Sequence, residues 1–385
     1  MNKKKVSVTG LGKVGLPLAA VIVESGYTVS GIDIDKQRCE KINNGKNPIP
    51  EEKGLSQLIS KVGGKNLHAS TDFRKAYQNC NVHIVIVPLF LKKNFQPDFS
   101  LILSVIKNIG QFLKKENLVI IETTLPPTTT EKKIQPLLEK ESELKAGKDF
   151  FLAYSPERVM SGKAIERLKK FPKIIGGTDK KSGEKGLAFY KTFIPNIELV
   201  SSATTAEFIK VAEGVYRDTN IALSNELFQI TETLNLDYQE IKEKANHKFC
   251  HLLNPGIGVG GHCLPAYPWF LINSFENAKL IKTARLKNDQ MINFWADKIK
   301  KKIEKKKSQE KVILIRGITF RKGVKEIYHS RSIALIKLLE KSGFKVYVED
   351  PLFSKEEIKK LKLTPFENQQ TNLIFNVFEL KIYEQ

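Results

Sequence analysis

The segment from Val6 to Asp33 constrains the fold of this chain more than any other stretch. It consists of a strand, a glycine-rich turn, a helix, a second strand and an acidic residue, which correspond to Val6–Thr9, Gly10–Gly15, Leu16–Ser25, Thr28–Ile32 and Asp33. The turn reads G-x-G-x-x-G, and the acid follows its last glycine by 18 residues. This order and spacing form a dinucleotide-binding signature within a βαβ unit. The chain is therefore predicted to begin with a Rossmann-type domain.

Each residue of this signature has a physical role in holding a dinucleotide. Gly10 and Gly12 allow a tight turn and the close approach of a pyrophosphate, while Gly15 lets the helix pack on the strand. The N-terminus of the helix faces the phosphates. The carboxylate of Asp33 accepts hydrogen bonds from the adenosine ribose hydroxyls, which favours NAD over NADP. The predicted cofactor is NAD, and the predicted cofactor-binding residues in this segment are Gly10, Gly12, Lys13, Val14, Gly15 and Asp33.

Further apolar runs predict that the sheet continues. The runs are typical of buried parallel strands and lie at Val82–Val87, Leu118–Thr124, Phe150–Tyr154 and Lys173–Gly177, the last of which is expected to close the sheet. Ligands of open α/β sheets bind at the carboxyl ends of the strands, so Pro88 and Thr124 are expected near the nicotinamide. Glu157 follows the third run directly; it is either a surface carboxylate or a site residue, and this position favours a site role.

The middle of the chain changes to a pattern of long helices around a glycine-rich loop. Apolar residues recur at helical spacing from Thr204 to Lys244, and a further long helix is predicted from Ala278 to Lys307. Between them, the run Pro255–Gly261 leads to Cys263. This cysteine is either a nucleophile or a structural thiol. The NAD signature upstream and Lys210 on the preceding helix favour the nucleophile, and the helices favour a homodimer interface.

The tail returns to α/β and repeats the strand–turn–helix–strand–acid plan without the glycine signature. Strands are predicted at Val312–Ile315, at Lys345–Pro351 and, as the last of the chain, at Asn372–Phe378, with a helix at Ile333–Ser342. A nucleotide-binding domain that holds something other than a dinucleotide fits this pattern. The predicted fold class is α/β, with an N-terminal Rossmann-type parallel sheet at residues 1–200, a central helical dimerisation domain at 201–307 and a smaller C-terminal α/β domain at 308–385.

Composition limits the partners and the compartment. The net charge is +21, but the lysines are spread along the chain and mixed with glutamates, so anionic small ligands are favoured over nucleic acid. No apolar run approaches the ~20 residues of a membrane span, and no apolar signal segment precedes the first strand. The four cysteines are scattered and lack the spacing of a metal site. A cytoplasmic protein without membrane insertion is expected.

Taken together, these motifs resemble the UDP-glucose/GDP-mannose dehydrogenase family over nearly the whole chain. Within it, Asn44–Ile49 and Tyr154–Val159 look more like the UDP-N-acetylhexosamine branch. The matching stretches are Gly10–Leu18, Gly31–Asp35, Glu122–Pro127, Tyr154–Val159 with Gly162, Lys210 with Arg217–Asn225, Gly256–Pro265 and Gly317–Phe320.

The resemblance implies an NAD-dependent oxidation of a UDP-sugar at C6 that uses two NAD+. It assigns catalytic roles to four positions: a covalent nucleophile, an oxyanion-stabilising lysine, a carboxylate in thioester hydrolysis and a threonine that holds water, here Cys263, Lys210, Glu157 and Thr124. It further implies that the UDP-sugar is bound by Glu157, Arg158, Lys210, Gly256, Gly258, Gly260 and Arg321.

Several positions depart from the family pattern. Gly214 stands where an asparagine is usual, Tyr267 where an aspartate is usual and Tyr328 where an arginine is usual, while the Ser-Pro pair reads Ser330-Arg331. Arg321 replaces a lysine. Three interpretations remain: an active 6-dehydrogenase, a weakened paralogue that binds NAD and nucleotide sugar, and an enzyme that stops after one hydride transfer or uses a shifted substrate. The retained catalytic positions favour an enzyme.

Overall fold

The computed structural model describes residues 5–158, 162–306 and 310–384. Val159 of the Tyr154–Val159 motif and the predicted domain boundary at 307/308 lie outside the described residues. The chain divides into two compact units, Met1–Ala212 and Glu213–Gln385. The division falls within helix α9, Ala203–Leu234.

The first unit alternates strands and helices. Its elements are β1 Lys5–Thr9, α1 Gly15–Glu24, β2 Thr28–Ile32, α2 Lys36–Asn43, α3 Leu55–Val62, β3 Leu67–Ser70, α4 Phe73–Gln78, β4 Val82–Val85, β5 Phe90–Leu91, β6 Pro97–Asp98, α5 Ser100–Gly110, β7 Leu118–Ile121, a π-helical turn Thr130–Ile134, α6 Gln135–Ser142, β8 Phe151–Tyr154, α7 Ala164–Lys170, β9 Lys173–Gly177, α8 Lys180–Lys191 and β10 Ile197–Leu199.

Eight of these ten strands form one sheet in the order β10-β9-β8-β7-β4-β1-β2-β3, and β5 and β6 pair separately with each other. Six neighbouring strands of this sheet, β8, β7, β4, β1, β2 and β3, run parallel. Strand β1 lies centrally, with Val8 paired to Gly31 of β2 and to Ile84 of β4. Strands β4, β7 and β8 are buried along their whole length, as expected for a sheet with both faces covered. The predicted Rossmann-type domain is confirmed.

The far edge of the sheet differs from the prediction. Strand β9 pairs antiparallel with β8, and β10 then pairs parallel with β9. The expectation that Lys173–Gly177 closes the sheet was therefore wrong, because Ile197–Leu199 is the edge strand. This strand is only three residues long and mostly exposed, so its apolar pattern is too weak to detect.

The second unit contains the helices around the glycine-rich loop and a smaller sheet. After the C-terminal part of α9 its elements are α10 Tyr238–Ala245, α11 Tyr267–Ile272, α12 Lys279–Lys305, β11 Val312–Arg316, α13 Arg331–Lys341, β12 Lys345–Glu349, α14 Lys355–Lys360, β13 Leu373–Asn376 and β14 Lys381–Glu384. The prediction of one long helix from Thr204 to Lys244 was wrong, because this stretch forms two helices, α9 and α10. Helix α9 ends at Leu234, Asn235 takes a left-handed φ of 53°, and Asp237 caps α10.

The smaller sheet repeats the design of the first. Its order is β12-β11-β13-β14, with β14 antiparallel at the edge, so the prediction of Asn372–Phe378 as the last strand was wrong. The backbone N–H of Ile318 donates to Asp350 Oδ2 at 2.8 Å, as the N–H of Leu11 donates to Asp33 Oδ2 at 2.8 Å. The tail therefore carries the same turn-to-acid contact as the N-terminus. Across the described residues, no helix has both the length and the apolar content that a membrane span needs.

A fully buried histidine on β4 makes the stability of the first unit sensitive to acid. Nδ1 of His83 lies 2.9 Å from Ser7 Oγ, and Nε2 lies 3.4 Å from Asn117 Oδ1. Burial lowers the pKa of His83 from 6.5 to about 4. The unfolded chain therefore binds a proton below pH 6.5 that the folded chain refuses until about pH 4, so this contribution to stability is lost as the pH falls through that window.

We expect the free energy of unfolding to fall by about 2 kcal/mol between pH 7 and pH 5 on account of this one group. The variant His83→Gln should lose that part of the pH dependence, whereas His68→Gln, at an exposed histidine of β3, should keep it. Urea unfolding of the three proteins at both pH values measures the difference. An equal pH dependence in wild type and His83→Gln would refute the assignment.

Candidate active site

The glycine-rich turn between β1 and α1 leaves no room for side chains at two of its three glycines. Gly10 has a φ of +98°, and a Cβ there would lie 2.7 Å from the carbonyl oxygen of Ile86. A Cβ at Gly15 would lie 1.8 Å from the carbonyl oxygen of Gly10. Gly12, by contrast, faces open space, with nothing within 4 Å of an added Cβ. The turn therefore exposes its backbone at Gly12 while its ends are packed.

The groups around this turn fit a dinucleotide. Val14, the N-cap residue of α1, makes no side-chain cap hydrogen bond, so no side chain of the cap competes with a phosphate for the positive N-terminal end of the helix. Asp33 is buried and accepts hydrogen bonds from Leu11 N and Asp35 N, at 2.8 and 3.0 Å, and from Arg38 Nη1. In folds of this kind the acid at the end of the second strand is the residue that hydrogen-bonds the ribose. Lys13 of the turn pairs with Glu51 at 3.6 Å.

The carboxyl ends of β4 and β7 are joined beside this turn. Val85 and Ile121, the last residues of β4 and β7, pair with each other. Pro88 and Thr124 each come three residues after these paired strand ends. The hydroxyl of Thr123 donates to the carbonyl oxygen of Val87 at 2.7 Å. Pro88 and Thr124 therefore lie at the same edge of the sheet, the edge at which ligands of such folds bind.

The next strand end carries Glu157, which is paired with Lys210. Lys210 Nζ lies 3.7 Å from Glu157 Oε1, and the two side chains are only 12% and 15% exposed. The two side chains thus form a largely buried ion pair at the end of β8. The adjacent Arg158 donates from Nη1 to the carbonyl oxygen of Pro172 at 2.8 Å and lies over the ring of Phe171.

A buried charged cluster below Glu157 was not found from the sequence. Lys173 Nζ lies 3.0 Å from Glu122 Oε2, and the hydroxyl of Tyr190 donates to the other oxygen of Glu122. Burial first, then the charge of Glu122, raises the pKa of Tyr190, which keeps its proton. Lys173 also lies 3.4 Å from the carbonyl oxygens of Ser155 and Pro156. The cluster thus ties the end of β7 to the residues just before Glu157.

In the second unit, the backbone of the glycine-rich loop is held along its length by contacts with neighbouring segments. Gly258 and Gly261 have φ angles of +113° and +91°, which side chains disfavour. Gly256 N donates to Asn225 Oδ1 at 2.8 Å, and Gly261 N donates to the carbonyl oxygen of Tyr328 at 3.0 Å. A Cβ at Gly260 would lie 2.7 Å from the carbonyl oxygen of His329. The loop is therefore a fixed structure rather than a flexible turn.

Cys263 lies where this loop enters α11, and it is exposed. Its carbonyl oxygen accepts the backbone N–H groups of Ala266 and Tyr267, at 3.0 and 3.1 Å. The neighbouring His262 stacks on Tyr328 with ring centroids 3.6 Å apart, and its Nε2 lies 2.7 Å from Glu326 Oε1. The cysteine is thus presented from a backbone that is fixed on both sides. Tyr328, at the position expected to be an arginine, packs against the residue next to it.

The smaller sheet has a cavity of about 450 Å³ at the carboxyl ends of its strands, and its lining includes Gly317, Thr319 and Asp350. Arg321 follows on the same segment and is exposed. The predicted site residues thus fall into two groups. The first unit holds the turn residues, Asp33, Pro88, Thr124, Glu157, Arg158 and Lys210, and the second holds Gly256, Gly258, Gly260, Cys263 and Arg321.

The parallel sheet with its glycine-rich dinucleotide turn defines the class of the protein as an NAD-binding one. The chain belongs to the UDP-glucose/GDP-mannose dehydrogenase family. The family's NAD-binding domain matches residues 4–194, its central domain residues 204–290 and its UDP-binding domain residues 314–377. The chain is an NAD-dependent UDP-sugar dehydrogenase, and the predicted family, enzyme class and cofactor are confirmed.

Proteins with named activities are similar to this chain over nearly its whole length. A UDP-N-acetyl-D-mannosamine dehydrogenase of Methanococcus aeolicus is 36% identical over 351 residues, which cover 90% of this chain and 78% of that protein. One of Campylobacter jejuni is 36% identical over 374 residues, covering 94% and 89%. The solved structure of UDP-D-ManNAc dehydrogenase from Pyrococcus horikoshii matches with a TM-score of 0.89 and 32% identity, covering 97% of this chain and 88% of that one.

Proposed function

We propose that this chain oxidises the C6 hydroxyl of a UDP-N-acetylhexosamine, UDP-N-acetylmannosamine or UDP-N-acetylglucosamine, to the uronic acid with two NAD+. The names of the relatives support N-acetylmannosamine as the first sugar to test. The proposal rests above all on Cys263, an exposed thiol at the junction of the fixed glycine loop and α11. A thiol presented in this way is suited to covalent capture of an aldehyde.

The proposed chemistry has two oxidations joined by a covalent intermediate. Bound NAD+ supplies the hydride acceptor for each oxidation. Loss of hydride and a proton converts the C6 alcohol to an aldehyde, to which Sγ of Cys263 adds, forming a C–S bond and a thiohemiacetal. Loss of a second hydride and proton leaves a thioester. Water then adds, the C–S bond breaks, and the carboxylate leaves with the thiol restored.

The Lys210–Glu157 pair suits the charge changes of these steps. The ammonium group of Lys210 stabilises the alkoxide character that develops at the C6 oxygen. The carboxylate of Glu157 accepts a proton from the attacking water, and Thr124 holds that water. Arg158, Arg321 and the backbone of Gly256, Gly258 and Gly260 bind the UDP-sugar. The buried Lys173–Glu122–Tyr190 cluster fixes the segment that carries Glu157.

A weakened paralogue that binds NAD and nucleotide sugar without full turnover is the second candidate. The observation that favours it is the set of departures at Gly214, Tyr267 and Tyr328. An assay of NADH formation with UDP-N-acetylmannosamine, UDP-N-acetylglucosamine and UDP-glucose decides between the two. Our proposal expects two NADH per molecule of an N-acetylated sugar. No NADH from any of the three would refute it, and NAD binding without turnover would establish the paralogue.

We also propose that the chain forms a homodimer through helix α9. In α9, Tyr216, Leu223 and Ile230 are 64%, 50% and 49% exposed, and their seven-residue spacing puts them on one face of the helix. An apolar stripe of this kind on a long helix is suited to pairing with the same stripe of a second copy. The scattered cysteines support the cytoplasm as the compartment, which cell fractionation can test.

We expect Leu223→Glu to convert the dimer to a monomer, because it buries two like charges across a symmetric interface. Sedimentation velocity measures the mass. Leu280→Glu, the same change at an exposed leucine of α12, is the matched control and should leave the dimer intact. A wild-type protein that sediments as a monomer at all concentrations would exclude this interface.

A further inference from the structure

The first residue of α13, Arg331, makes a forked contact with the glycine-rich loop and with α12. Its Nε donates to the carbonyl oxygen of Val259 at 3.0 Å, and its Nη2 pairs with Asp289 Oδ1. The side chains of Arg331 and Asp289 are 21% and 32% exposed. One guanidinium group therefore joins the loop backbone to a carboxylate on a long helix.

The carboxylate of Asp289 lies at the partly exposed side of a network of charges whose other members are buried. Arg285 Nη2 lies 3.1 Å from Asp289 Oδ1, and Arg285 Nη1 pairs with Asp218 Oδ1. Asn288 Nδ2 also donates to Asp218 Oδ1, at 3.0 Å. Asp218, Arg285 and Asn288 are almost fully buried. With Arg331 included, the network has two guanidinium groups and two carboxylates, so its charges balance, which a buried cluster requires.

The same network holds the loop at a second point. Asn225 Nδ2 donates to Asn288 Oδ1 at 2.8 Å, and Asn225 Oδ1 accepts the backbone N–H of Gly256. Gly258 lies between the two attachments, and a Cβ there would come within 2.6 Å of the carbonyl oxygen of Asn288 and 3.4 Å of Arg331 Nε. Gly256 and Val259 are thus fixed to one rigid support, four or more residues before Cys263.

Helix α13 does not need the side chain of Arg331 in order to begin. Ser330 is its N-cap, and Ser330 Oγ accepts the backbone N–H of Ile333 at 3.3 Å and donates to the carbonyl oxygen of Ile318 at 2.6 Å. The guanidinium group at the first helical position therefore serves the loop rather than the helix. Proline, which suits a first helical position, could replace Arg331 without disturbing the helix start.

We propose that Arg331 is a positioning residue, which fixes the Val259 carbonyl against the Asp289 network and thereby sets the course of the glycine-rich loop that presents Cys263. Only the expected effect of Arg331 on turnover rests on the proposed function; its effect on the loop does not. Because a displacement of about 1 Å can cost roughly 100-fold in rate, a loop released at Val259 lowers kcat rather than only raising KM for the sugar.

The test compares Arg331→Met, Arg331→Pro and the matched control Lys337→Met, at an exposed residue of the same helix. Hydrogen–deuterium exchange is followed in the peptide that covers Gly256–Gly261, and alkylation of Cys263 by iodoacetamide is followed by peptide mapping against pH. We expect faster loop exchange and a shifted alkylation profile in both Arg331 variants, with exchange in α13 unchanged, and neither change in Lys337→Met. We also expect kcat for the sugar to fall by about tenfold or more.

Exchange and alkylation need no turnover, so they test the positioning role even if the wild-type chain oxidises none of the sugars, a result that would refute the proposed function alone. Wild-type loop exchange and wild-type alkylation in a folded Arg331→Met or Arg331→Pro would overturn the inference. If neither variant folds, Arg331→Lys replaces them. Its ammonium group can pair with Asp289 but lacks the fork to hold Val259 as well, so loop exchange should be faster than in wild type, and an unchanged rate would overturn the inference.

Discussion

Replacing Cys263 with alanine is expected to stop formation of the uronic acid while NAD binding is retained. Without the thiol, the aldehyde from the first oxidation has no covalent partner, and the second hydride transfer has no thiohemiacetal to act on. Loss of a covalent nucleophile can cost an enzyme a factor on the order of 10⁶ in rate, and we expect the rate of uronic acid formation to fall towards that limit. The measurements are NADH per sugar and the uronic acid formed, with NAD affinity from thermal shifts.

Cys250→Ala is the matched control for this change. Cys250 lies outside the glycine-rich loop and is partly exposed, so its removal should leave two NADH per sugar. Cys263→Ser should act between the two, because a hydroxyl is a weaker nucleophile than a thiolate at neutral pH. If Cys263→Ala still formed uronic acid at the wild-type rate, the covalent route would be excluded, although the family assignment would stand.

The part of the fold that local sterics dictate could be predicted from the sequence. The bounds of β2, Thr28–Ile32, match the prediction, and those of β1 and α1 differ from it by at most one residue at either end. The reason is that the turn is constrained locally, since a Cβ at Gly15 would lie 1.8 Å from the carbonyl oxygen of Gly10 in the same turn. Asp33 likewise contacts Leu11 within one βαβ unit.

Contacts between distant segments could not be predicted in this way. Lys173 is the first residue of β9 and Glu122 follows the last residue of β7, and neither pattern indicates that they form a buried pair. In the sequence Arg331 stands out only as a departure from Ser-Pro, and its partners Val259 and Asp289 lie far away along the chain. Strand β14 was missed for another reason: it is a mostly exposed, antiparallel edge strand that carries charged residues at both ends.

Two of the departures from the family pattern prove to be neighbours in the second unit. A Cβ added at Gly214 of α9 would lie 2.2 Å from Cδ2 of Tyr267 and 3.1 Å from its Cγ. Tyr267 is 7% exposed, and its ring packs against Phe270 with centroids 5.8 Å apart. The tyrosine ring therefore occupies the space that a side chain at position 214 would take. We therefore treat Gly214, where an asparagine is usual, and Tyr267, where an aspartate is usual, as one coupled change.

This coupling predicts a substitution whose effect on stability reverses sign. Alanine is favoured over glycine inside a helix by about 1 kcal/mol, so Gly214→Ala should stabilise α9 once the ring of Tyr267 is removed. With the ring in place, the added methyl overpacks the contact and should cost ~1–3 kcal/mol. The expected coupling between the two positions is therefore about 2–4 kcal/mol, at or above the usual range for residues in contact.

A double-mutant cycle of Gly214→Ala and Tyr267→Ala measures this coupling in urea. Both tryptophans of the chain, Trp269 and Trp295, lie in the second unit, so their fluorescence follows the unfolding of the part that holds the pair. Tyr267→Ala alone should cost ~3–5 kcal/mol, as for other buried aromatic side chains, and adding Gly214→Ala to it should restore about 1 kcal/mol. If Gly214→Ala has the same effect in both backgrounds, the two departures are independent, and the loss of the family's asparagine and aspartate would then need two separate explanations. If the sign reverses, the ring of Tyr267 is the reason that α9 carries a glycine next to the segment that bears Lys210.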